Sequence, residues 1–135
     1  MFRRLDESTL VSTRQITPPD MTEAAAAGAK MVINNRPDGE EVGQPGGAEI
    51  EAAAKAAGLA YRHIPVAGGF SQAQVEAMAE ALENGPVLAF CRSGTRSTFL
   101  WALARARRGA PAAALVEAAA AAGYDLGPLR SYLGG

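Results

Sequence analysis

The sequence predicts one α/β domain over residues 1–135, built as three layers with a mostly parallel central sheet flanked by helices. Three observations predict it. Short continuous apolar runs, Met31-Val32-Ile33 and Val87-Leu88-Ala89-Phe90, read as parallel strands covered on both faces. Longer stretches of helical period alternate with them, the order expected of right-handed βαβ crossovers. A chain of 135 residues, 48% hydrophobic and 20% charged, is too apolar for disorder and has the size of one core.

Taken in order, Thr9–Ser12 reads as an early strand. Pro18-Pro19-Asp20 then starts a helix that ends near Gly28, with Thr17 as its expected N-cap. Met31–Ile33 is the next strand, and residues 34–47 form a loop rich in Asn, Pro and Gly. A helix over 48–57 stops at Gly58. Tyr61–Val66 is a strand broken toward its end by Pro65. Ser71 caps a helix over 72–83, with Val75, Met78, Ala79 and Leu82 on one face, and Asn84-Gly85-Pro86 ends it. Val87–Phe90 is the central strand, followed by the loop 91–96 and a helix over 97–108. Two further helices are expected over 112–122 and 125–132, separated by Gly123. The core must be alanine-heavy, since 30 Ala stand against four Phe, three Tyr and one Trp.

Composition also removes function classes. A formal charge of −1 gives no electrostatic case for nucleic acid or for an anionic membrane. The opening residues carry Arg3, Arg4, Asp6 and Glu7 and no apolar run, unlike a secretory signal. The run 112–122 is interrupted by Glu117 and falls short of the ~20 residues a membrane crossing needs. A cytoplasmic protein is expected. The single cysteine, Cys91, can form neither an internal disulfide nor a four-cysteine zinc site. Glu40 and Glu41, with no histidine beside them, read as a solvated loop, so no metal and no cofactor is expected.

The informative segment runs from Val87 through Cys91-Arg92-Ser93-Gly94-Thr95-Arg96-Ser97. Cys91 follows a buried strand, and a tight turn delivers the chain into a helix. This is the ligand-binding edge of an open α/β sheet. The turn amides of Arg92, Ser93, Gly94 and Thr95 and the helix N-terminus can converge into an anion cradle, which favours a thiolate at Cys91 over the neutral thiol. Arg96 adds a fork of donors suited to a tetrahedral oxyanion. Gly94 supplies backbone freedom, and the Ser97 hydroxyl, one turn into the helix, is placed to reach the sulfur. The competing reading, a small buried cysteine at a strand end, is disfavoured by the flanking arginines, hydroxyls and glycine.

At these residues a resemblance appears. Cys91–Arg96 is similar to the active-site loop of rhodaneses, which carry sulfur as a cysteine persulfide. It also resembles the phosphate loop of protein tyrosine phosphatases, Cys-x5-Arg followed by Ser or Thr, but is one residue shorter at Cys-x4-Arg. Val11-Ser12 with Gln15, the string Val32-Ile33-Asn34-Asn35-Arg36-Pro37-Asp38-Gly39-Glu40-Glu41, Ile64-Pro65-Val66, and Phe90-Cys91 through Leu103 together resemble one bacterial family. It is the phosphatase-like domain of the beta-lactamase-hydrolase-like proteins, also labelled sulfur transferases, over about residues 2–110.

The resemblance implies a dual-specificity-phosphatase-like fold. It implies Cys91 as nucleophile, Arg96 as anion-binding arginine and Ser97 as the hydroxyl that follows it. Substrate would be a small oxyanion or a phosphorylated molecule lodged against Arg92, Ser93, Gly94, Thr95 and Ser97, with Arg36 on the rim. Two departures stand out: Phe90 replaces the usual His before the cysteine, and the segment 64–69 holds no carboxylate where the phosphatase general acid would fall. An acid on the leaving oxygen is worth ~10²–10⁴ in rate. Asp38, in the loop after the Met31–Ile33 strand, is the one candidate to replace it, against the alternative that Arg-Pro-Asp-Gly is only a turn.

Three functions follow in order. The first is a cysteine-dependent hydrolase with a covalent intermediate. The second is a sulfurtransferase passing a persulfide from Cys91 to an external thiol acceptor. The third is a phosphate- or sulfate-binding module without catalysis. His63 reads as a surface or hydrogen-bonded strand residue, and Trp101 and Tyr124 as core anchors.

Overall fold

The computed structural model describes residues 1–134. A five-stranded sheet carries the strands β1 (Phe2–Asp6), β2 (Thr9–Ser12), β3 (Met31–Asn34), β4 (Ala60–His63) and β5 (Val87–Phe90) in the order β1-β2-β5-β3-β4. Only β1 runs antiparallel to its neighbour; β2, β5, β3 and β4 are parallel. The helices are α1 (Asp20–Ala26), α2 (Gly47–Ala56), α3 (Gln72–Leu82), α4 (Thr95–Arg107) and α5 (Ala112–Ala121), followed by a 3₁₀ turn over Gly127–Tyr132.

The central position of β5 explains its composition. All four of its residues are buried. Leu88 and Phe90 join Val32, Met21, Ile50 and Ala54 on the face covered by α1 and α2. Val87 and Ala89 join Ile33, Met78, Leu100 and Leu115 on the face covered by α3, α4 and α5. A strand enclosed on both sides gains from being apolar at every position, which is why it reads as a continuous run. Alanine packs the helices close against this sheet: Ala24, Ala54, Ala81, Ala102, Ala104 and Ala119 are each fully enclosed.

Several expectations are corrected. Strand β1 has no apolar run to announce it. It is an edge strand with Arg3 and Arg4 exposed, which blunts the edge. Thr17 does not cap α1; its N–H and hydroxyl both donate to Asp20 Oδ2, at 2.8 and 2.9 Å. Strand β4 ends at His63, before Pro65. Helix α4 starts at Thr95, two residues earlier than the sequence suggests, because Gly94 takes the N-cap position at φ +93°. The final segment is a 3₁₀ turn with Pro128 near its start, not an α-helix. Ser71 caps α3 as expected, with the reciprocal bond from Ser71 N–H to the Gln74 side chain. Among the described residues no helix is long and apolar enough to cross a membrane.

Trp101 ties the edge strand to the far layer. Its ring is buried, and its Nε1–H donates to Asp6 Oδ2 at 2.7 Å, where Arg105 Nε also donates at 3.0 Å. Burial works against the Asp6 carboxylate. The bonds from Trp101, Ser8 and Thr9 and the Arg105 charge outweigh it and hold the carboxyl below its usual range.

Candidate functional site

Parallel register puts three strand ends at one edge of the sheet. Asn34 pairs with Phe90 of β5 and with His63 of β4, so Asn35, Cys91 and Ile64 emerge side by side. Asn35 ties these exits together. Its N–H donates to Phe90 O at 2.8 Å, its Nδ2 to Ile64 O at 3.0 Å, and its carbonyl accepts Val66 N–H at 3.0 Å. Its Oδ1 accepts the Ser97 hydroxyl at 2.8 Å. Ser97 therefore anchors α4 to the β3 loop and does not donate to the sulfur, contrary to expectation.

Cys91 is buried at 1% exposure, and the Gly94 N–H donates to its Sγ at 3.2 Å. The loop from Cys91 to Gly94 leads directly into α4, whose first-turn amides on Thr95, Arg96 and Ser97 have no carbonyl partner within the helix. Their partial positive charge lies at the end of the loop where the Gly94 N–H meets the sulfur. Gly94 permits the turn. At φ +93° an L side chain is strained, and a Cβ there would collide with the Tyr124 hydroxyl and lie 2.7 Å from Ser12 O. Around this turn Arg92, Ser93 and Thr95 are exposed, with the Ser93 and Thr95 hydroxyls 3.3 Å apart.

Arg96 is held from behind. Its Nη1 donates to Glu40 Oε2 and to Val66 O, and its Nη2 to Glu40 Oε1, each at 2.8 Å. That arrangement uses the Nη1–Nη2 edge of the guanidinium and leaves the Nε–Nη2 edge outside the fork. The hydrogen bonds it donates to Glu40 first, and then the nearby Cys91 and Glu40 charges, raise the affinity of Arg96 for its proton against the cost of burial. Glu40 in turn is drawn from 4.5 to about 2 by the Arg96 hydrogen bonds first, against a burial penalty, and by Arg36 next. Glu40 and Glu41 are thus not a freely solvated pair; the loop carries them onto the arginines.

Arg36 underlies this network. Its side chain is enclosed at 1% exposure, with Nε donating to Glu40 at 2.8 Å, Nη1 to Gln15 at 2.8 Å and Nη2 to Glu41 at 3.3 Å. The expectation that Arg36 meets substrate on the rim is corrected: its guanidinium is occupied in holding the two carboxylates. Exposed Arg92 lies 3.7 Å from the other oxygen of Glu41. Asp38 is not brought into the cradle in this arrangement. Its Oδ1 accepts the Gly47 N–H at 2.8 Å, satisfying an open donor at the start of α2, as the turn reading holds. His63 is an exposed strand residue whose Nε2 bonds to Arg36 O at 2.9 Å.

Sequence reasoning missed Glu40 and Tyr124 as site residues. Tyr124 is not only a core anchor, since its hydroxyl donates to Ser93 O at 2.8 Å within the cysteine loop. The Arg36–Glu40 spacing inside a Pro- and Gly-containing loop was the available signal for the first; nothing local marks the second. Among the described residues no group of His, Cys, Asp and Glu is arranged to hold a metal ion. A cavity of about 670 Å³ between α3, α4 and the C-terminal turn, lined by Phe70, Val75, Leu103, Leu129 and Tyr132 among others, shares no residue with the Cys91 loop.

Comparison with known proteins now places the chain. The sequence model for the phosphatase-like domain of beta-lactamase hydrolase-like proteins matches residues 1–108. The chain belongs to this family. It is 42% identical over 113 residues to a beta-lactamase hydrolase-like protein of Xylella fastidiosa, covering 81% of this chain but only 26% of that protein. The chain thus spans about a quarter of the length of this curated relative.

A crystal structure of a candidate phosphatase from Neisseria meningitidis Z2491 superposes with a TM-score of 0.83 at 37% identity, covering 97% of this chain and 94% of that one. TpbA of Pseudomonas aeruginosa shares the fold at a TM-score of 0.66 and 19% identity, over 98% of this chain and 82% of its own. The architecture is the α/β fold of the tyrosine and dual-specificity phosphatases, with a mixed sheet between helices.

Proposed function

We propose that the chain is a cysteine-dependent, phosphatase-like hydrolase that works through a covalent intermediate on Cys91. The observation that carries the reading is the meeting of a buried sulfur, the Gly94 N–H at 3.2 Å, the open first turn of α4, and Arg96 forked on Glu40. An oxyanion bound to those amides and to the free edge of Arg96 has its central atom in line with Sγ. The thiolate attacks phosphorus, the P–O bond to the leaving group breaks, and phosphocysteine forms. Water then attacks the same phosphorus, releases inorganic phosphate and returns the thiolate. TpbA, which shares the fold, forms a complex with pTyr as a Cys-to-Ser variant, in keeping with a phosphorylated ligand for this reading.

No side chain in the cradle supplies an evident acid. The segment 64–69 has no carboxylate, Asp38 is bonded to Gly47, and Glu40 is a carboxylate held by two arginines. The hydrolase therefore suits aryl phosphates, whose leaving oxygen departs without a proton.

The same absence, with the short Cys-x4-Arg loop, supports a second reading as a sulfurtransferase. There the thiolate attacks the sulfane sulfur of thiosulfate, sulfite leaves, and the Cys91 persulfide passes its outer sulfur to an external thiolate. Steady-state assays separate the two: we expect release of phenolate and phosphate from an aryl phosphate by the wild type and none by Cys91→Ser. Full turnover in Cys91→Ser removes the nucleophile. Turnover of thiosulfate alone replaces the hydrolase with the transferase. Oxyanion binding without turnover of either leaves a binding module.

A further inference from the structure

The Cys91 loop is held from outside the segment that carries the family match. Tyr124 lies beyond residue 108, where Gly123, at φ +96°, ends α5 and turns the chain back toward the sheet. Tyr124 N–H returns to Ala119 O at 2.8 Å, and Arg3 of β1 reaches Ala122 O at 3.4 Å, so the turn is fixed from both sides. From there the Tyr124 hydroxyl donates to Ser93 O at 2.8 Å.

The bond matters because of what shares its peptide plane. Ser93 C=O and Gly94 N–H belong to one trans peptide, so they point in opposite directions. With the carbonyl end tied to Tyr124, the N–H end faces Cys91 Sγ at 3.2 Å. The reversed orientation would put a carbonyl oxygen toward a negative sulfur. Gly94, at φ +93°, is the residue type that allows a peptide to reverse most freely, so an external tie is needed there.

We infer that Tyr124 is a positioning residue for the Cys91 sulfur, its hydroxyl locking the Ser93–Gly94 peptide with the N–H directed at Sγ. Burial first, and the Cys91 charge next, push the Tyr124 phenol above its ordinary range despite Arg3, so it stays protonated and keeps donating. The inference rests on the reading of Cys91 as a reactive thiolate, but its test needs no substrate.

The test compares alkylation of Cys91 by iodoacetamide in the native wild-type chain and in Tyr124→Phe, which keeps the ring against Gly94. Losing one hydrogen bond should slow alkylation at neutral pH by roughly 3- to 10-fold. At strongly alkaline pH, where any thiol is ionised, the two proteins should react alike. For aryl phosphate turnover, kcat should fall with KM nearly unchanged. Equal rates at neutral pH overturn the inference, and so does an equal loss at both pH values, which marks altered access instead of a reoriented peptide. A wild type inactive on phosphate would defeat the hydrolase reading while leaving the alkylation comparison decisive.

Discussion

Both oxygens of Glu40 are bound to Arg96, and one of them also takes Arg36 Nε. At the residue scale this carboxylate fixes the orientation of the Arg96 guanidinium, and in the proposed hydrolase it thereby sets the edge offered to an anion. Glu40→Gln keeps the size and removes the charge, and we expect kcat/KM for an aryl phosphate to fall about tenfold, since a misdirected fork loses a bidentate contact. The stability effect has a definite pH window. The folded-state value of Glu40, about 2, lies below its ordinary 4.5. Its contribution is therefore full above 4.5 and disappears as pH falls through about 2. For a pair this exposed it is worth about 0.5–1 kcal/mol. Thermal melts of the wild type and Glu40→Gln should differ by a constant amount above pH 4.5 and converge toward pH 2. Asp38 gives the complementary expectation. With its Oδ1 on Gly47 N–H, Asp38→Ala should cost about 1 kcal/mol of stability. Turnover should stay within about twofold, whereas loss of a general acid would cost ~10²–10⁴.

At the scale of elements, the decisive unit is the passage from β5 through the loop into α4. Gly94 is its pivot, and Gly94→Ala adds a methyl beside Ser12 O and the Tyr124 hydroxyl while holding an unfavourable φ. The backbone strain alone should cost about 1–3 kcal/mol. We expect a lower melting temperature together with loss of anion protection of Cys91 against alkylation; intact protection would show that the turn tolerates a side chain. This passage was legible in the sequence because its parts are contiguous: an apolar strand, a cysteine, a glycine, an arginine and a helix within about three turns of chain. The sequence puts the start of α4 two residues late because Gly94, with no side chain, gives no capping signal of the Ser or Asp kind. Strand β1 is invisible for a different reason: its exposed Arg3 and Arg4 break any apolar period, and Leu5 is its one buried residue.

At the scale of the whole molecule, parallel register is what assembles the site. It brings the ends of β3, β4 and β5 to one edge, and Asn35 joins all three exits. The residues that the sequence did not reveal are those whose partners are distant along the chain. Glu40 and Arg96 are 56 positions apart, and Tyr124 and Ser93 are 31 apart. No local period links such pairs, so Glu40 read as a solvated loop and Tyr124 as core. The reverse error was Arg36, whose place beside the family string suggested a substrate contact; enclosure by Gln15, Glu40 and Glu41 makes it a support. The fold and the strand–loop–helix passage that carries Cys91 and Arg96 were legible, while the surrounding hydrogen-bond network was not.

The central claim is that Cys91 becomes covalently modified by its substrate. Intact-mass spectrometry of the acid-quenched protein after incubation with an aryl phosphate tests it most directly. The account predicts an adduct of one phosphoryl group, mapped to the Cys91 peptide in the wild type and absent from Cys91→Ser. Continued hydrolysis with no adduct on Cys91, or an adduct that persists in Cys91→Ser, would contradict it.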